Sequence, residues 1–496
     1  MELPHLSRDR NEPFVDQVAR HYRHAIQDGR LRPGDRLPTI RAVAEHTGVN
    51  RATVQDAYRR LRELGLVSAT VGRGTSVVGP KEAQRPPISP GARAAWQHLR
   101  EQTRVPDADR RVPTVANFAE LLPDHDLFPV EGFRESLGRV LQSRGGKLLR
   151  YGQPTGNLEL RQLLAERDQN PGTDPGTQTA DADEILVTNG AQQGIDLVLR
   201  AFTRPGDAVA VAIPTYHHLF GLLKAHGLHV APLRAGPEGI DLDDLARALA
   251  RPDVRLLYLM PTFHNPTGRT LDLAARRAVM GLVRGSQVPV LEDESELELR
   301  FRGEALPSFR SLDPRDLTVT VRTFSKGLFP GVRLGWVHAG RDVLGPMAAL
   351  KRYIDLETSP LLQAALVDFA RRGALDAYLE PLRAELGRRH RAAGRALAKS
   401  MPAGSSWSDP DGGFALWVEG PPGINGRDLA ARAAARGVLV SPGQLFCPDD
   451  EPVPGVRLSL SRSDEAQIQN GIRVLGRCAS ELAAQTESPS KHPLFL

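Results

Sequence analysis

Lys326 is the residue whose type and position most favour covalent chemistry. The chain has 64 lysines and arginines, and only seven of them are lysines. Lys326 stands in the segment RTFSKGLFPGVR, just after a predicted strand and among small and hydroxyl residues. A lysine that forms an imine must lose its proton easily, and burial near other cations promotes that loss. A lysine at a strand end can also be purely structural, so its surroundings must decide.

A phosphate group has candidate ligands at the ends of neighbouring predicted strands. The segment NGAQ at 189–192 joins a strand to a helix, so its backbone amides and the helix N-terminus can hold an anion. Arg333 follows Lys326 closely and can pair with the same phosphate, and two hydroxyl groups can add hydrogen bonds. The candidate phosphate ligands are Gly190, Ala191, Gln192, Thr323, Ser325 and Arg333. A glycine at a helix start would be a weak indication by itself.

An aromatic ring that carries this phosphate has candidate partners too. Asp293 ends the segment PVLED and could pair with a protonated ring nitrogen. Tyr216 could stack on the ring face, and Asn265 could donate a hydrogen bond to a phenolic oxygen. Taken singly, Asp293 could be a helix cap, Tyr216 a core residue and Asn265 a turn residue. Together they predict pyridoxal 5'-phosphate (PLP), with Lys326 as its catalytic attachment point.

Alternating strands and helices must position these residues. Apolar runs typical of strands occupy 184–188, 208–213, 254–260, 288–292 and 317–322, and helical patterns fill most of the intervals. Such alternation predicts a mostly parallel sheet that is covered by helices, with chemistry at the carboxyl ends of its strands. The candidate residues lie at those ends.

The first eighty residues follow a different pattern. Helical spacing predicts one helix over 13–28, a second between an N-cap at Thr39 and Gly48, and a third from an N-cap at Asn50 to Gly65. Two helices joined around a glycine form a helix-turn-helix, whose second helix presents its first turn to the major groove. Strands over 66–71 and 75–78 would then form a hairpin, the wing.

The charge of this region favours nucleic-acid binding. Residues 1–78 hold 13 arginines and 9 acidic residues, so most of the net charge of +5 lies there. Basic side chains gain affinity by displacing counterions from phosphates. The alternative is a small helical dimerisation module whose arginines are only solvated. The segment DGRLRPGDRLPTIR at 28–41, the Gly48 turn and the GRGT tip resemble the GntR-type winged helix-turn-helix. The candidate DNA contacts are Arg41, Asn50, Arg51, Thr53, Arg73 and Gly74.

The large domain resembles the fold-type I aminotransferases from about Phe118 to Ala483. The segments YGQPTG at 151–156, NPTG at 265–268, SK at 325–326 and VRLS at 456–459 occur in the family's order. The resemblance implies the cofactor roles given above, and it implies that Tyr151 reaches the phosphate in the neighbouring subunit of a dimer. It also implies that Arg457 binds the carboxylate of a substrate or effector, and that a smaller C-terminal subdomain completes the α/β domain.

Joined to the GntR-type head, the chain resembles the MocR/GabR family of bacterial regulators. The resemblance implies a homodimer that binds promoter DNA and senses a vitamin or an amino compound. We predict a winged helix-turn-helix (α+β) domain over 1–79, a proline-containing linker over 80–112 and the aminotransferase-like domain over 113–485. A working aminotransferase with an attached DNA-binding head, or a cofactor-free scaffold, would be the alternatives.

Two positions depart from the resemblance. Family members usually carry a tyrosine just after the ring-nitrogen aspartate, and here that position falls on Ser295 or Glu296, depending on the register. Without the phenol, the imine should have a different pKa, which makes repeated transamination less favoured than sensing or a single half-reaction. His218 stands where some relatives place an arginine, so it could contact an effector or only pack.

Composition excludes other classes of protein. The two cysteines, Cys447 and Cys478, are too few and too far apart for a metal knuckle or a disulfide scaffold. The N-terminus lacks the apolar core of a signal peptide, and no run approaches the roughly 18 apolar residues of a membrane span. We therefore expect a cytoplasmic protein with no metal site and no membrane partner.

Overall fold

The structure, a computed structural model, divides the chain into two units, Met1–Arg104 and Val105–Leu496. It describes residues 3–7, 12–70, 74–78, 114–168, 181–236, 239–313, 315–449 and 452–487. The predicted linker at 80–112 and the wing residue Arg73 lie outside the described residues. The predicted domain limits therefore stay predictions.

The described residues of the first unit form three helices and a hairpin. Its elements are α1 (Phe14–Gln27), α2 (Ile40–Thr47), α3 (Arg51–Glu63), β1 (Val67–Thr70) and β2 (Gly74–Val77). The strands β1 and β2 pair antiparallel. Val18, Val43 and Leu61 are fully buried, so the helices share one apolar core. The three predicted helices and the hairpin are confirmed.

Side-chain caps define the turn between α2 and α3. The Thr39 hydroxyl accepts a hydrogen bond from the Ala42 amide, and the Asn50 side chain accepts one from the Thr53 amide. Gly48 ends α2 with a left-handed φ of 71°, a conformation that L side chains adopt at a cost. Both predicted N-caps are thus present.

An eight-stranded sheet forms the centre of the second unit. Its strands are β4 (Ile185–Thr188), β5 (Ala208–Ile213), β6 (His229–Gly236), β7 (Gly239–Ile240), β8 (Val254–Leu259), β9 (Val290–Asp293), β10 (Thr318–Thr323) and β11 (Gly335–His338). They lie in the order β4-β11-β10-β9-β8-β5-β6-β7. The pairs from β10 to β6 are parallel, whereas β11 and β7 run antiparallel to their neighbours. The predicted mostly parallel sheet is confirmed.

Helices pack on this sheet through three apolar clusters. They are α4 (Val130–Leu148), α5 (Leu158–Arg167), α6 (Ala191–Phe202), α7 (His217–Ala225), α8 (Leu242–Leu249), α9 (Leu273–Ser286), α10 (Phe324–Gly327), α11 (Arg341–Asp355) and α12 (Pro360–Arg371). The carboxyl ends of the parallel strands stay open to side chains from the turns that follow them. Lys326 and Asp293 both lie at such ends.

A C-terminal subdomain completes the second unit. The long helix α13 (Ala374–Ser400) leads into a four-stranded antiparallel sheet, over which α14 (Gly426–Ala434) and α15 (Glu465–Glu487) pack. Its strands are β12 (Ser406–Trp407), β13 (Ala415–Glu419), β15 (Ser441–Pro442) and β16 (Gly455–Ser459), while β14 (Val438–Leu439) pairs with β3 (Ala116–Asn117). Arg457 lies in the middle of β16. None of the described helices is both long and apolar enough to cross a bilayer.

Candidate functional site

Lys326 lies in the single helical turn α10, which begins directly after β10. The Thr323 hydroxyl caps this turn by accepting a hydrogen bond from the Ser325 amide at 3.1 Å. Lys326 Nζ donates to the Leu121 carbonyl at 2.7 Å. Burial lowers the pKa of Lys326, Glu296 raises it and Arg457 lowers it. The lysine is therefore held in place and loses its proton more easily than a lysine in water.

The start of α6 has the geometry of an anion site. Gly190 precedes the helix with a φ of 83°, and no side chain caps the helix. A Cβ at Gly190 would lie 2.6 Å from Arg333 Nη2, so the guanidinium approaches the backbone closely. Arg333 Nη2 donates to the Asn189 carbonyl at 2.7 Å. Uncapped amides at Gly190 and Ala191 beside a guanidinium suit a phosphate.

The other predicted phosphate ligands have partners within the protein. The Thr323 hydroxyl lies 3.0 Å from the Ser325 hydroxyl and donates to the Leu334 carbonyl. Ser325 Oγ accepts a long hydrogen bond of 3.5 Å from Arg333 Nη1, so it lies on the Arg333 side of the lysine turn. Gln192 Oε1 accepts from the Tyr216 hydroxyl at 3.1 Å. In this structure Gln192 positions a ring, and Thr323 supports the turn.

Asp293 ends β9 as a fully buried carboxylate. Its Oδ2 accepts from the Tyr258 hydroxyl at 2.8 Å, and its Oδ1 accepts from the Ser295 amide at 3.0 Å and from the Ser295 hydroxyl at 2.5 Å. Burial raises the pKa of Asp293, while the Ser295 and Tyr258 hydrogen bonds lower it. A cationic ring nitrogen would stabilise the ionised form of this carboxylate further.

Arg457 and Asn265 meet in the same buried space. Arg457 Nη1 donates to Asn265 Oδ1 at 3.1 Å, and Nη2 donates to the Ala119 carbonyl at 2.6 Å and to Ser441 Oγ at 3.0 Å. Burial lowers the pKa of Arg457 to about 10. Its Nε is buried and has no partner among the described residues. A guanidinium that retains a free donor suits the carboxylate of a small ligand.

Two histidines line the space next to Tyr216. The rings of His217 and His218 lie 4.0 Å apart, and Tyr216 lies within 5.7 Å of both. Burial lowers the pKa of His217 to about 4, and the charges of Arg457 and Lys326 contribute. The pKa of His218 is lowered by burial and by the same two charges. Both imidazoles therefore act as neutral hydrogen-bonding groups near neutral pH.

The structure separates Ser295 from Glu296, the two positions where relatives carry a tyrosine. Ser295 turns its hydroxyl to Asp293. Glu296 is 2% exposed and lies where its charge acts on both Lys326 and Arg457. Of the two, Glu296 is therefore the one whose charge acts on the lysine.

The residues present fit PLP. Gly190 and Arg333 form a phosphate cradle that a Cβ at position 190 would fill. Asp293 is a buried carboxylate for the ring nitrogen, and Lys326 is a half-buried amine for the carbonyl carbon. Tyr151, predicted to serve the neighbouring subunit, is 83% exposed in the single chain.

Sequence reasoning missed two residues of this site. The sequence places Tyr258 only within a strand, yet its hydroxyl donates to Asp293 from the neighbouring strand β8. The parallel pairing of Tyr258 with Leu291 places Tyr258 near the end of β9. The predicted pairing of neighbouring parallel strands could have indicated this proximity. The Leu121 carbonyl, far away in sequence, left no local signal.

Four of the predicted DNA contacts, Arg41, Asn50, Arg51 and Thr53, lie in the helix-turn-helix, and Gly74 lies in the hairpin. Arg41 is 73% exposed and pairs with Glu45 one helical turn away. Arg51 is exposed, and the Thr53 hydroxyl donates to Asn50 Oδ1 at 2.8 Å. Gly74 begins β2 with a φ of 86°. The structure brings Asn50, Arg51 and Thr53 together at the start of α3.

Comparison with known proteins matches each of the two units to a protein family. Residues 14–77 match the family of bacterial regulatory proteins of the gntR type, and residues 116–475 match aminotransferase class I and II. The chain is 31% identical over 469 residues to the HTH-type transcriptional regulator YdcR of Escherichia coli K12, covering 94% of this chain and 98% of that one. It is also 31% identical to the HTH-type transcriptional regulator TauR of Rhodobacter capsulatus, covering 91% and 93%. The chain belongs to the MocR/GabR family of GntR-type regulators.

Solved aminotransferases resemble the second unit of this regulator. The alpha-aminoadipate aminotransferase LysN of Thermus thermophilus, complexed with N-(5'-phosphopyridoxyl)-L-leucine, has a TM-score of 0.68. It is 31% identical, and the match covers 75% of this chain and 93% of that one. The regulator thus joins a GntR-type DNA reader to a fold-type I domain whose cofactor is PLP.

Proposed function

We propose that this regulator controls transcription from promoter DNA in response to PLP or to an amino compound that reacts at PLP. The observation that carries the proposal is the pairing, in one chain, of a capped helix-turn-helix with a buried lysine site that faces Glu296 instead of a phenol. Bound PLP supplies a carbonyl carbon that a primary amine can attack. Sensing of an amino compound requires only that attack, and repeated turnover is not needed.

The site favours an effector that carries an acidic group in addition to its amine. Arg457 retains a free buried Nε, and its guanidinium lies 4.9 Å from the centre of the Phe446 ring. A carboxylate that paired with this guanidinium would offset the cost of burying it. His217 and His218 would then donate or accept neutral hydrogen bonds. We assign Arg457 and His218 to the effector, and the remaining candidate residues to PLP.

The regulator is proposed to act as a homodimer with domains at 1–79 and 113–485, joined by the linker 80–112. Tyr151 is highly exposed, and the next residue, Gly152, donates a backbone hydrogen bond to Glu357. Other exposed apolar side chains on the same unit are Val130, Leu149, Leu158, Tyr353 and Leu356. A partner that covered such side chains would bury them and bring Tyr151 of the partner subunit to the cradle.

DNA binding is proposed to use the start of α3 and the hairpin. Arg51 and Thr53 would contact bases, with Asn50 and Arg41 nearby. Arg73 and Gly74 would approach a groove or a phosphate from the wing. Two heads in one dimer would read two half-sites.

A footprint of the regulator on its own upstream DNA, with and without PLP and candidate amines, tests the proposal. We expect a protected site whose extent or affinity changes with PLP, and an effect of amines that Lys326→Ala abolishes. Arg51→Ala should weaken specific binding by about tenfold or more, since one base contact contributes about 1–3 kcal/mol. Binding that is only salt-sensitive and independent of sequence would contradict the proposal.

A second candidate function is amino-group transfer by a working aminotransferase. The observation that favours it is that Lys326, Asp293 and Arg457 all lie in one buried site, as catalysis would require. Steady-state transfer to a 2-oxo acid distinguishes it from sensing. A single half-reaction without turnover would leave regulation as the function.

A further inference from the structure

Glu296 is a buried carboxylate with one oxygen bound and one oxygen free. It follows Asp293 by three residues and begins the helical turn Leu297–Leu299. Its Oε2 accepts a hydrogen bond from the Phe414 amide at 2.8 Å, whereas its Oε1 is buried without a partner among the described residues. A buried carboxylate is costly unless a cation or a donor faces it. The position of Glu296 therefore needs a physical explanation.

The surroundings of Glu296 place it beside the lysine turn. The turn Leu297–Leu299 packs against α10, and a Cβ at Gly327 would lie 3.2 Å from the Cβ of Glu298. On the other side, a Cβ at Gly413 would lie 2.7 Å from Glu296 Oε2, so the backbone before β13 approaches closely. Glu296 is thus fixed between the lysine turn and the C-terminal subdomain.

The charged groups around Glu296 are of both signs. Burial has the largest effect on the pKa of Glu296 and raises it, Lys326 and Arg457 lower it, and Asp293 raises it. Glu296 and Asp293 raise the pKa of Lys326, and Arg457 lowers it. His217 and His218 also face Lys326 and stay neutral near pH 7. Glu296 and Asp293 are thus the two carboxylates that raise the pKa of the lysine, and Asp293 already accepts three hydrogen bonds from Tyr258 and Ser295.

We propose that Glu296 is a positioning residue that supplies the negative charge opposite Lys326 Nζ and is anchored for this task by the Phe414 amide. The proposal rests on the PLP site of the proposed function and adds a role for one residue of this chain. Burial favours the protonated form of Glu296, whereas the neighbouring cations Lys326 and Arg457 favour its ionised form. The ionised carboxylate can only accept hydrogen bonds, so it acts on the lysine through charge. It stabilises the protonated nitrogen and leaves it protonated to a higher pH.

The test compares full-length Glu296→Gln with the parent protein. Glutamine keeps the size of the side chain and an oxygen for the Phe414 amide, but it removes the charge. The first measurement is the pH dependence of the rate at which PLP attaches to Lys326, followed by visible absorbance. The second is the pH midpoint of the absorbance of the attached cofactor. We expect both midpoints to fall by about one pH unit or more, because a facing opposite charge shifts a pKa by about that much.

Glu298→Gln is the matched control. Glu298 lies two residues further along, but it pairs with Arg383 at 3.0 Å and with Arg167 at 3.4 Å instead of facing the lysine. The control removes the same charge from the same turn, and both midpoints should remain those of the parent. Glu296→Asp keeps the charge, so both of its midpoints should lie close to those of the parent.

Equal midpoints in the parent and in Glu296→Gln would overturn the proposal, as would an equal fall in the Glu298→Gln control. If Glu296→Gln does not fold, Glu296→Met is a second uncharged variant of similar length, without a phenol, and must show the same fall. A parent protein with no absorbance that depends on Lys326 would contradict the PLP site itself, and with it both proposals. Normal absorbance with an unchanged midpoint would contradict only the role of Glu296.

Discussion

The two ends of the cofactor site differ in how they are built. The phosphate end consists of backbone amides at Gly190 and Ala191 and of the exposed guanidinium of Arg333. The lysine end consists of the half-buried Lys326 and the buried Glu296 and Arg457, whose charges shift one another's pKa. Backbone geometry and one guanidinium therefore form the phosphate end, whereas burial and neighbouring charges shift the pKa of the lysine. Variants at each end should separate these two properties.

The largest effect is expected from Lys326→Ala. Cofactor absorbance that survives gel filtration should disappear, because no other lysine lies in the site among the described residues. PLP should still bind reversibly through the phosphate end, which can be followed by equilibrium dialysis. Lys224→Ala, on α7, removes a lysine outside the site and should leave the absorbance unchanged. Retained covalent attachment in Lys326→Ala would contradict the assignment of the lysine end.

Gly190→Ala should damage the phosphate end alone. Its φ of 83° strains an alanine, and the new Cβ would lie 2.6 Å from Arg333 Nη2. We expect PLP affinity to fall by about 10- to 100-fold, corresponding to roughly 1–3 kcal/mol of strain, while the pH midpoint of absorbance stays constant. Gly345→Ala in α11 is the control, because its Cβ would meet nothing within 4 Å. A shifted midpoint in Gly190→Ala would show that the two ends are not separable.

Tyr258→Phe should weaken the ring-nitrogen contact. It removes the 2.8 Å hydrogen bond to Asp293, and a hydrogen bond to a charged group contributes about 1.5–3 kcal/mol. Loss of this donor raises the pKa of Asp293 further, so PLP affinity should fall by about tenfold near neutral pH and by more in mild acid. Tyr22→Phe, which removes a buried hydroxyl from the core of the first unit, is the matched control. An affinity loss that did not depend on pH would argue against an action through Asp293.

The smallest effect is expected from His217→Gln, on the free energy of unfolding in mild acid. Burial holds the pKa of His217 at about 4, below its ordinary value. Below its ordinary pKa, His217 takes up a proton in the unfolded chain but not in the folded one. The protein is therefore most stable above that pKa, and it loses stability as the pH falls towards 4. Between about pH 7.5 and 5.5 this costs roughly 1 kcal/mol of unfolding free energy, which His217→Gln should remove from the pH profile in urea titrations. His229→Gln, at an exposed position, should leave the profile of the parent.

Local signals make part of this molecule predictable. The strand Ala208–Ile213 is predicted with its bounds because six consecutive apolar residues are followed by a proline. Thr39 and Asn50 are predicted as caps because a helix start needs a nearby acceptor. The short strand β11 is missed, since Gly335–His338 has neither the length nor the alternation of a typical strand.

Contacts between distant segments could not be read from the sequence. Spacing after Asp293 allows either Ser295 or Glu296 to face the lysine, and only the hydrogen bonds of Ser295 to Asp293 separate them. Likewise, the pairing of Arg457 with Asn265 joins residues from two subdomains. Such pairings depend on tertiary packing, which local patterns do not specify.

The hydrogen bond from Arg333 to the Asn189 carbonyl has a consequence for selectivity between forms of the vitamin. Because that bond already fixes the long side chain, little of its conformational entropy remains to be lost when an anion arrives. The entropy cost of ordering the Arg333 side chain is therefore part of the free energy of folding and not of the free energy of binding. Pyridoxal without its phosphate leaves this ordered guanidinium without an anionic partner. The preorganised cradle should therefore distinguish the phosphorylated cofactor from its precursor before any chemistry occurs at Lys326.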